Sequence, residues 1–354
     1  MNILKKIFKK KIILAIIALM AILLLAISGY ILINKKAPIT NSLVIKNIKS
    51  NCQFHRKLDG VCVTTQEEKE IWPVALMIDN HPDAWPQAGL SQAQVVYNCL
   101  VEGGTTRMMA VFANNDEIKK IGPIRSARPY YLDWVKEINA LYGHSGGSVE
   151  ALEKINTLAL LDLNEISYLG TLFFYRDNNH TAPHNLFTDS EKIKSAQIYF
   201  NLATSTPTYQ VWQFDPAETK FVETINEINI DYSAGSLFDI KYTYNTSTEK
   251  YLRFQNESPQ IDANNQEQIS VKNLIIQFIP EEIHLDAADR LSVTNTGQGR
   301  AWIFINGKLM RGNWQKSSSQ ERTIFYDFDG QEIKFQPGNI WLEIVPGARE
   351  VLLK

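Results

Sequence analysis

"ALYGHSGGSVEALEKI", residues 140–155, joins a short apolar run to a glycine-rich loop and then to a helical pattern. The run ALYGH has the length and composition of a buried strand, and VEALEKI repeats its apolar residues at the spacing of one helix face. A strand that enters a helix through a Gly-Gly loop is typical of a layered α/β fold. The segment therefore predicts an α/β architecture for the region around it.

The flanking sequence continues this alternation of short strands and helices. Two strand-like runs and one helical segment take part, namely PVALMID at 73–79, TRMMAVFAN at 106–114 and PYYLDWVKEIN at 129–139. In the helical segment Tyr131, Trp134, Val135 and Ile138 recur at the spacing of one helix face. We predict an N-terminal α/β layered domain over residues 71–204.

Beyond residue 205 the pattern changes to paired strands, after the polar segment NLATSTPTYQ (201–210). Alternating runs on either side of a turn sequence predict hairpins. Such runs occur in FDIKYTYNTSTEKYLRF (238–254), GRAWIFINGKLMRGNW (299–314) and TIFYDFDGQEIKF (323–335). Asn306-Gly307 is the strongest of the turn signals. We predict a β-rich C-terminal domain over residues 205–354, so the whole chain falls in the α+β / α/β class.

The size and charge of the chain limit the classes of function. Its 354 residues carry a net charge of -2 and are 45% hydrophobic, which is ordinary globular composition and enough for two domains. Because nucleic-acid binding normally requires a strongly basic surface, we expect no nucleic-acid partner.

The N-terminus has the pattern of a membrane anchor. Lysines are concentrated in residues 1–11, an uncharged apolar run follows at 12–33, and Lys35 and Lys36 close it. At a rise of about 1.5 Å per residue, the run is long enough to cross a hydrocarbon core of about 30 Å. The lysine excess predicts a cytoplasmic segment at 1–11, a transmembrane signal-anchor at 12–33 and an extracytoplasmic body, hence a single-pass protein of the cell membrane. A signal peptide cleaved near Ala26-Ile27-Ser28 is the alternative.

The three cysteines suit an oxidising compartment. Cys52 and Cys62 bracket CQFHRKLDGVC within residues 34–70, which we interpret as an extracytoplasmic stalk. A disulfide between them would stabilise the loop by roughly 2–3 kcal/mol. The alternative is a metal site with His55, but two thiolates and one imidazole form an incomplete ligand set. Cys99 lies in an apolar stretch and is interpreted as a buried residue.

Several long motifs, in order along the chain, together resemble a known family. They are VALMIDNHPDAWPQAGLSQAQVVYNCLVEGGTTRMMAVF (74–112), IGPIRSARPYYLD (121–133), YGHSGGS (142–148), APHNLFTD (182–189), GQGRAWIFINGKLMRGNWQK (297–316) and FQPGNIWLEIVP (335–346). From Trp72 to Val351 the chain resembles the YerB-like putative lipoprotein family. The resemblance implies a bacterial, envelope-anchored protein with an N-terminal domain and a β-rich C-terminal domain, and it implies no particular activity. Because no cysteine closely follows the apolar run, we expect the helix rather than a lipid to be the anchor here.

Polar residues collect where the predicted strands end. In an open α/β sheet, the loops beyond the carboxyl ends of the strands form the usual ligand crevice, so we expect these residues to share one pocket. The candidate site residues are Asp79, Glu102, Arg107, Arg125, Ser126, Arg128, His144, Ser145, Gly146, Gly147, Arg176, His184 and Asn185.

The basic members of this set favour an anionic ligand. Guanidinium groups match carboxylate and phosphate oxygens, and a Gly-Gly loop that enters a helix exposes backbone N–H groups. Arg107, Arg125 and Arg128, together with the loop 144–148, would then form an anion cradle.

The same residues also have structural interpretations. Arg125 and Arg128 are alternatively ion-pair partners of Glu102 or Asp133. The two glycines of GHSGGS alternatively permit a tight turn, with Ser148 as the N-cap of the following helix.

Serine catalysis is one alternative for this set. Gly143 to Gly147 fits the letters of the G-x-S-x-G elbow and lies between a predicted strand and a helix. Ser145 would be the nucleophile, with His144, His180 or His184 as the base. Adjacent Ser and His side chains, however, rarely hydrogen-bond to each other.

Acid–base chemistry is another alternative. Glu102 with Asp79 would supply the paired carboxylates that glycoside hydrolysis needs, provided that the fold separates them suitably.

Metal binding would need several histidines together. His180 and His184 are four residues apart, but Pro183 argues against a helix that places them on one face. Asp79 and His81 would complete a set only if the fold brings them close. We assign no metal site and no cofactor from the sequence.

The sequence thus leads to three functional hypotheses. The first is a membrane-anchored extracytoplasmic protein that binds an anionic or glycan-type cell-envelope ligand. The second is an envelope hydrolase or transferase that uses Ser145 and His144, or Glu102 and Asp79. The third is a non-catalytic assembly or scaffold protein whose polar motifs hold its loops together.

Overall fold

The computed structural model describes residues 20, 52–215, 223–232, 235–347 and 349–354. None of the helices in this part of the chain is long and apolar enough to cross a membrane. The predicted cytoplasmic segment at 1–11 lies outside the described residues, as does the predicted signal-anchor at 12–33 apart from Met20.

Helices are short in the described chain. The α-helices are α1 (Gln66–Lys69), α2 (Tyr131–Glu137), α3 (Val149–Thr157), α4 (Gly170–Phe173) and α5 (Ser190–Tyr199). Single 3-10 turns occupy Pro82–Ala84, Leu90–Gln92, Glu102–Gly104 and Ser236–Phe238.

Strands make up most of the regular structure. The first region contributes β1 (Phe54–His55), β2 (Cys62–Val63), β3 (Val74–Ile78), β4 (Val95–Leu100), β5 (Thr106–Phe112), β6 (Leu141–His144), β7 (Leu161–Asn164), β8 (Tyr175–Arg176) and β9 (Leu186–Phe187). The second contributes β10 (Glu223–Thr224), β11 (Glu227–Ile230), β12 (Ile240–Asn245), β13 (Lys250–Gln255), β14 (Ser258–Pro259), β15 (Ser270–Val271), β16 (Asn273–Ile279), β17 (Ile283–His284), β18 (Leu291–Ser292), β19 (Gly297–Ile305), β20 (Lys308–Lys316), β21 (Ile324–Tyr326), β22 (Ile340–Pro346) and β23 (Val351–Leu353).

One sheet runs through both regions. Among the described residues it has eleven strands in the order β10-β20-β19-β16-β22-β4-β5-β3-β6-β7, with β21 paired to β20. The two regions meet where β22 pairs in parallel with β4, so that Ile340 lies opposite Val95 and Ile344 opposite Cys99. Accordingly, Cys52–Lys354 forms one compact unit.

A second, antiparallel sheet comes from the C-terminal region, in the order β14-β13-β12-β11-β23 with β15 paired to β13. Tyr251 of β13 packs edge-on against Phe304 of β19, with the ring centroids 6.3 Å apart. The predicted hairpins over β12–β13 and β19–β20 are confirmed. In the second hairpin Asn306 and Gly307 have φ values of 54° and 73°, as a type I′ turn requires.

The central strands are buried on both faces. All five residues of β3 and all six of β4 are buried, which explains why their sequences do not alternate between apolar and polar residues; Asn98 of β4 is the one polar residue among the eleven. Trp134 of α2 stacks on Tyr97 of β4 at a centroid distance of 5.3 Å, so this helix covers the sheet.

The β-rich C-terminal region is confirmed, whereas a layered α/β domain over 71–204 is not clearly present. β4 and β5 are antiparallel neighbours joined by the turn at Glu102–Gly104. Antiparallel strands need no crossover helix, unlike the parallel strands that the α/β prediction assumed. The helices of this region are also only 4–10 residues long and give incomplete layers.

The cysteine predictions are confirmed. Cys52 and Cys62 form a disulfide with their Cα atoms 5.6 Å apart. Cys99 is fully buried, and burial raises the pKa of its thiol above the ordinary range. The disulfide closes the loop between β1 and β2, which belongs to the same compact unit as the sheets.

Candidate functional site

The polar strand ends lie along one edge of the central sheet. β3, β6 and β7 are parallel, so their carboxyl ends bring residues 79–81, 144–145 and 164–165 to the same side. The segment containing Arg125 lies between the ends of β3 and β6, because its N–H donates to Met77 at 2.9 Å and its carbonyl accepts from Ser145 at 3.0 Å. We call this edge, with the predicted site residues along it, the sheet-edge site.

Arg107 and Arg128 both face Glu102. Nε of Arg128 donates to Oε2 of Glu102 at 2.7 Å, and its Nη2 pairs with the other oxygen, so the contact is bidentate. Nη2 of Arg107 lies 3.5 Å from Oε1 of Glu102, and its Nη1 donates to the carbonyl of Ser126 at 2.8 Å. The ion pair of Arg128 with Glu102, which was one structural alternative, is therefore present.

This ion cluster keeps Glu102 ionised. Burial alone would raise the pKa of Glu102, but the hydrogen bond from Arg128 and the charges of Arg107 and Arg128 outweigh it and lower the pKa to about 2. A carboxyl with this pKa holds no proton near neutral pH. Near neutral pH, Glu102 is thus an ionised partner of Arg107 and Arg128.

Asp79 holds two further site residues. Its side chain is buried, and Oδ2 lies 2.8 Å from Nε of Arg125 and 2.7 Å from Nδ1 of His184. Oδ1 accepts the backbone N–H of His81 at 3.0 Å. The structure therefore brings Asp79, Arg125 and His184 together.

Ser145 and His144 are not hydrogen-bonded to each other. The Ser145 hydroxyl donates to Oε2 of Glu165 at 2.8 Å. His144 is fully buried, with Nδ1 donating to the Gly146 carbonyl at 2.7 Å and Nε2 2.7 Å from Oδ1 of Asp162. Both ring nitrogens are occupied elsewhere, so the pair lacks the geometry of a nucleophile and its base.

The glycine loop has a packing role. Gly146 has a φ of 61°, and a Cβ there would lie 2.6 Å from Ile166. Its N–H already donates to Oδ1 of Asn164 at 2.9 Å. Ser148 caps α3 by accepting the N–H of Ala151 at 3.2 Å, which confirms the predicted N-cap.

The last pair of predicted residues continues the same edge. Arg176 lies 3.0 Å from Oε1 of Glu165, and its Nη1 donates to Oδ1 of Asn185 at 3.0 Å. Ser145, Glu165, Arg176 and Asn185 thus form one hydrogen-bonded chain. His180 lies away from this chain, against Lys120.

The four arginines of the sheet-edge site each have a carboxylate partner. Arg107 and Arg128 face Glu102, Arg125 faces Asp79, and Arg176 faces Glu165. An incoming anion would therefore compete with carboxylates of the chain itself for every one of these guanidinium groups.

Two residues that the sequence interpretation did not assign to the site stand beside His184. His81 and Asp83 supply ring nitrogen and carboxylate atoms that lie within 4.8 Å of each other and of His184. The His81 and His184 rings stack with their centroids 4.6 Å apart. The His-x-Asp spacing in NHPDAW was a visible signal for a ligand pair.

A cleft opens at the other end of the same loop. Its volume is about 380 Å³, and its lining includes Trp85 and the amide side chains of Gln87, Gln255, Gln260 and Gln266. Gln87 and Gln260 are buried and hydrogen-bonded to each other at 3.1 Å. Nε2 of Gln255 is buried and has no hydrogen-bond partner among the described residues.

Comparison with known proteins gives a consistent family assignment. Residues 58–201 match the model described as "Protein of unknown function (DUF3048) N-terminal domain", and residues 228–342 match the DUF3048 C-terminal domain. The chain is 28% identical over 288 residues to "Putative lipoprotein YerB" of Bacillus subtilis (strain 168), which covers 80% of this chain and 84% of that protein. The crystal structure of the YerB protein from Bacillus subtilis superposes with a TM-score of 0.74 at 26% identity, covering 85% of this chain and 100% of that one.

Proposed function

The chain belongs to the DUF3048 family, whose function is unknown, and we propose that it is a membrane-anchored extracytoplasmic protein that binds a glycan-type ligand of the cell envelope. The observation that carries this proposal is the amide-lined cleft of about 380 Å³ beside Trp85. That volume lies within the roughly 300–1,000 Å³ of typical small-ligand sites.

The chemistry of the cleft suits a neutral, hydroxyl-rich ligand. Gln87 and Gln260 form a hydrogen-bonded wall, while Gln266 presents an exposed amide of the kind that can hydrogen-bond sugar hydroxyls. The Trp85 ring supplies an apolar face on which a sugar ring can stack, and its indole N–H is fixed by Oδ1 of Asn80 at 2.9 Å. Gln255 adds a buried N–H₂ donor that no described residue uses.

Of the two ligand classes, anionic and glycan-type, the anionic class is the less favoured. Arg125 and Arg128 are both engaged by buried or partly buried carboxylates, Asp79 and Glu102. An anion could bind there only if these ion pairs broke. Breaking them costs more free energy than the new contacts supply, unless the anion replaces every lost contact.

The geometry also favours binding over hydrolysis. Ser145 donates to Glu165 instead of a histidine, and Glu102 is held ionised by two arginines. Neither arrangement provides a poised nucleophile or a proton donor near neutral pH.

The anchoring part of the proposal is based on the sequence. The apolar run at 12–33 follows a lysine-rich segment, and the first cysteine of the chain, Cys52, lies well beyond it. The curated relative is named a lipoprotein, whereas a helix is the anchor that this sequence favours. Intact-mass measurement on membrane fractions should then give an unprocessed N-terminus without lipid, and a mature chain that begins after Ser28 would contradict it.

The cleft is tested with the purified full-length protein and soluble cell-wall glycan fragments. We expect saturable binding by calorimetry that Trp85→Ala weakens at least tenfold, because the sugar loses its stacking surface. Trp85→Phe should keep most of the affinity, since it retains an aromatic face.

Trp302 provides the matched control, since it is a half-buried tryptophan of β19 outside the cleft. Trp302→Ala should leave glycan binding unchanged. An anionic wall polymer serves as the competing ligand: binding of that polymer alone, weakened by Arg125→Ala and not by Trp85→Ala, would overturn the glycan assignment. Absence of binding to both ligands would reject the proposal.

A further inference from the structure

We propose that His81, Asp83 and His184 bind a divalent transition-metal ion, with Zn²⁺ as the ion that their chemistry fits best. The cluster lies at the solvent-facing end of the sheet-edge site. It uses other side chains than the amide-lined cleft, so the two sites can be tested separately.

The spacing of the ligand atoms is close to that of a metal site. Oδ2 of Asp83 lies 3.6 Å from Nδ1 of His81 and 3.9 Å from Nε2 of His184. Each of the three side chains has a ligand atom within 4.8 Å of those of the other two. Zn–N and Zn–O bonds of about 2.0–2.1 Å at tetrahedral angles separate neighbouring ligand atoms by roughly 3.3 Å, so small side-chain rotations suffice.

His184 is already oriented as a metal ligand. Oδ2 of Asp79 accepts from its Nδ1 at 2.7 Å, so Nε2, which lies 3.9 Å from Oδ2 of Asp83, is the nitrogen left for a metal. A buried carboxylate that holds the far nitrogen of a ligating histidine is the arrangement that fixes ring orientation in many metal sites. Asp79 is therefore a positioning residue in this proposal.

The loop that carries His81 and Asp83 is held at several points. Asn80 donates from Nδ2 to the Thr106 hydroxyl at 2.7 Å, and its Oδ1 accepts from the amide of Gln87 at 2.8 Å. The backbone N–H of His81 is held by Asp79 at 3.0 Å. Anchoring of this kind lowers the entropic cost of gathering ligands from one loop.

His81 is the ligand that must move. Its side chain is 46% exposed, and its Nδ1 accepts the backbone N–H of Asp83 at 3.2 Å. A metal at Nδ1 takes the place of that hydrogen bond. The ring, now stacked on His184 with an interplanar angle of 21°, tilts so that both rings point at the ion.

The ligand set selects the class of metal. Two imidazoles and one carboxylate suit Zn²⁺ and its first-row neighbours, whereas Ca²⁺ and Mg²⁺ prefer oxygen ligands alone. The side chain of Asp83 is 68% exposed, so the fourth coordination position of the ion would face water. Zinc sites with three protein ligands commonly hold an exchangeable water in that position.

The test is calorimetric titration of Zn²⁺ into the untagged full-length protein after chelation and buffer exchange. We expect one ion per chain. His184→Ala and His81→Ala should each abolish saturable binding, because two remaining ligands do not hold the ion. Asp79→Asn should keep the stoichiometry and weaken the affinity about 10- to 100-fold, which is the usual effect of losing an outer-shell partner.

His284→Ala is the matched control, since His284 is another exposed histidine with an aspartate partner, Asp289. It should leave Zn²⁺ binding unchanged. A second measurement is the visible spectrum of the Co²⁺-loaded protein, which should show the bands of a four- or five-coordinate ion that His184→Ala removes. Absence of saturable binding, or binding that survives His184→Ala and fails in His284→Ala, would overturn the proposal.

Discussion

Glu137, at the end of α2, and Asp79, at the end of β3, are both almost inaccessible to water, yet their surroundings differ. Glu137 is enclosed by partners that are themselves buried. Asp79 is linked through His184 to Asp83, which is exposed. The first network is closed inside the protein, whereas the second reaches the surface at His81 and Asp83, whose side chains are 46% and 68% exposed.

The network around Glu137 joins the two regions of the chain. Its Oε2 accepts from Nζ of Lys316 at 2.6 Å and from the Thr323 hydroxyl at 2.9 Å. Its Oε1 accepts from Arg322 at 2.6 Å and from the Tyr97 hydroxyl at 2.9 Å. Although burial opposes ionisation, the charges of Lys316 and Arg322 lower the pKa of Glu137 below its ordinary value.

The largest effect is therefore expected for Glu137→Gln. The variant leaves Lys316 and Arg322 as two buried cations without a counter-charge. We expect the free energy of unfolding in urea to fall by about 3–5 kcal/mol. Glu150→Gln is the matched control, because it removes the same charge from an exposed ion pair with Arg290, and it should not measurably change stability. A loss below about 1 kcal/mol for Glu137→Gln would mean that the enclosed network is not a stability element.

A smaller and pH-dependent effect is expected for Glu102→Gln. The folded-state pKa of Glu102 is about 2, below its ordinary value of 4.5, so its stabilisation is fully present above pH 4.5 and is lost as the pH falls towards 2. With partial solvent screening, we expect roughly 1–3 kcal/mol between wild type and variant at pH 7.

The measurement is the free energy of unfolding of both proteins at several pH values. The difference between wild type and Glu102→Gln should shrink steadily below pH 4.5. A difference that stays constant down to acid pH would show that Arg107 and Arg128 do not stabilise the ionised carboxylate.

Local sequence signals predicted the individual elements well. The apolar runs predicted β3, β5 and β6, Ser148 before VEALEKI marked the start of α3, and Asn306-Gly307 marked a hairpin. Each of these features depends on residues close together in the chain, where apolar periodicity, capping and turn chemistry act.

The pairing of distant segments could not be predicted. β22 pairs with β4 although Asn98 and Glu343, which hydrogen-bond across that junction, are 245 residues apart, and parallel pairing leaves no local turn signal. Contacts between distant residues in the candidate site could not be predicted either. The ion pair of Arg128 with Glu102 was anticipated as an alternative, but the contact of His184 with Asp79 joins residues 105 apart.

At the sheet-edge site, Ser148→Ala should have an effect of about 1 kcal/mol, because the Ser148 hydroxyl satisfies an otherwise unpaired N–H at the start of α3. Thermal or urea unfolding measures it. Ser148→Asp keeps a capping oxygen and should retain most of the stability. If both variants lose the same amount, the loop conformation rather than the cap is what Ser148 maintains.

The smallest effect is expected for Arg176→Ala. The Arg176 side chain is 44% exposed, so water can replace its contacts with Glu165 and Asn185, and the free energy of unfolding should change by only about 0–1 kcal/mol. Arg128→Ala is the comparison, because it removes a bidentate pair with Glu102 that is less exposed and should cost more. If Arg176→Ala lowers the free energy of unfolding as much as Arg128→Ala does, water does not replace the contacts of Arg176. The outer part of the sheet-edge site would then be as enclosed as the surroundings of Glu137, which would contradict the contrast between the two networks.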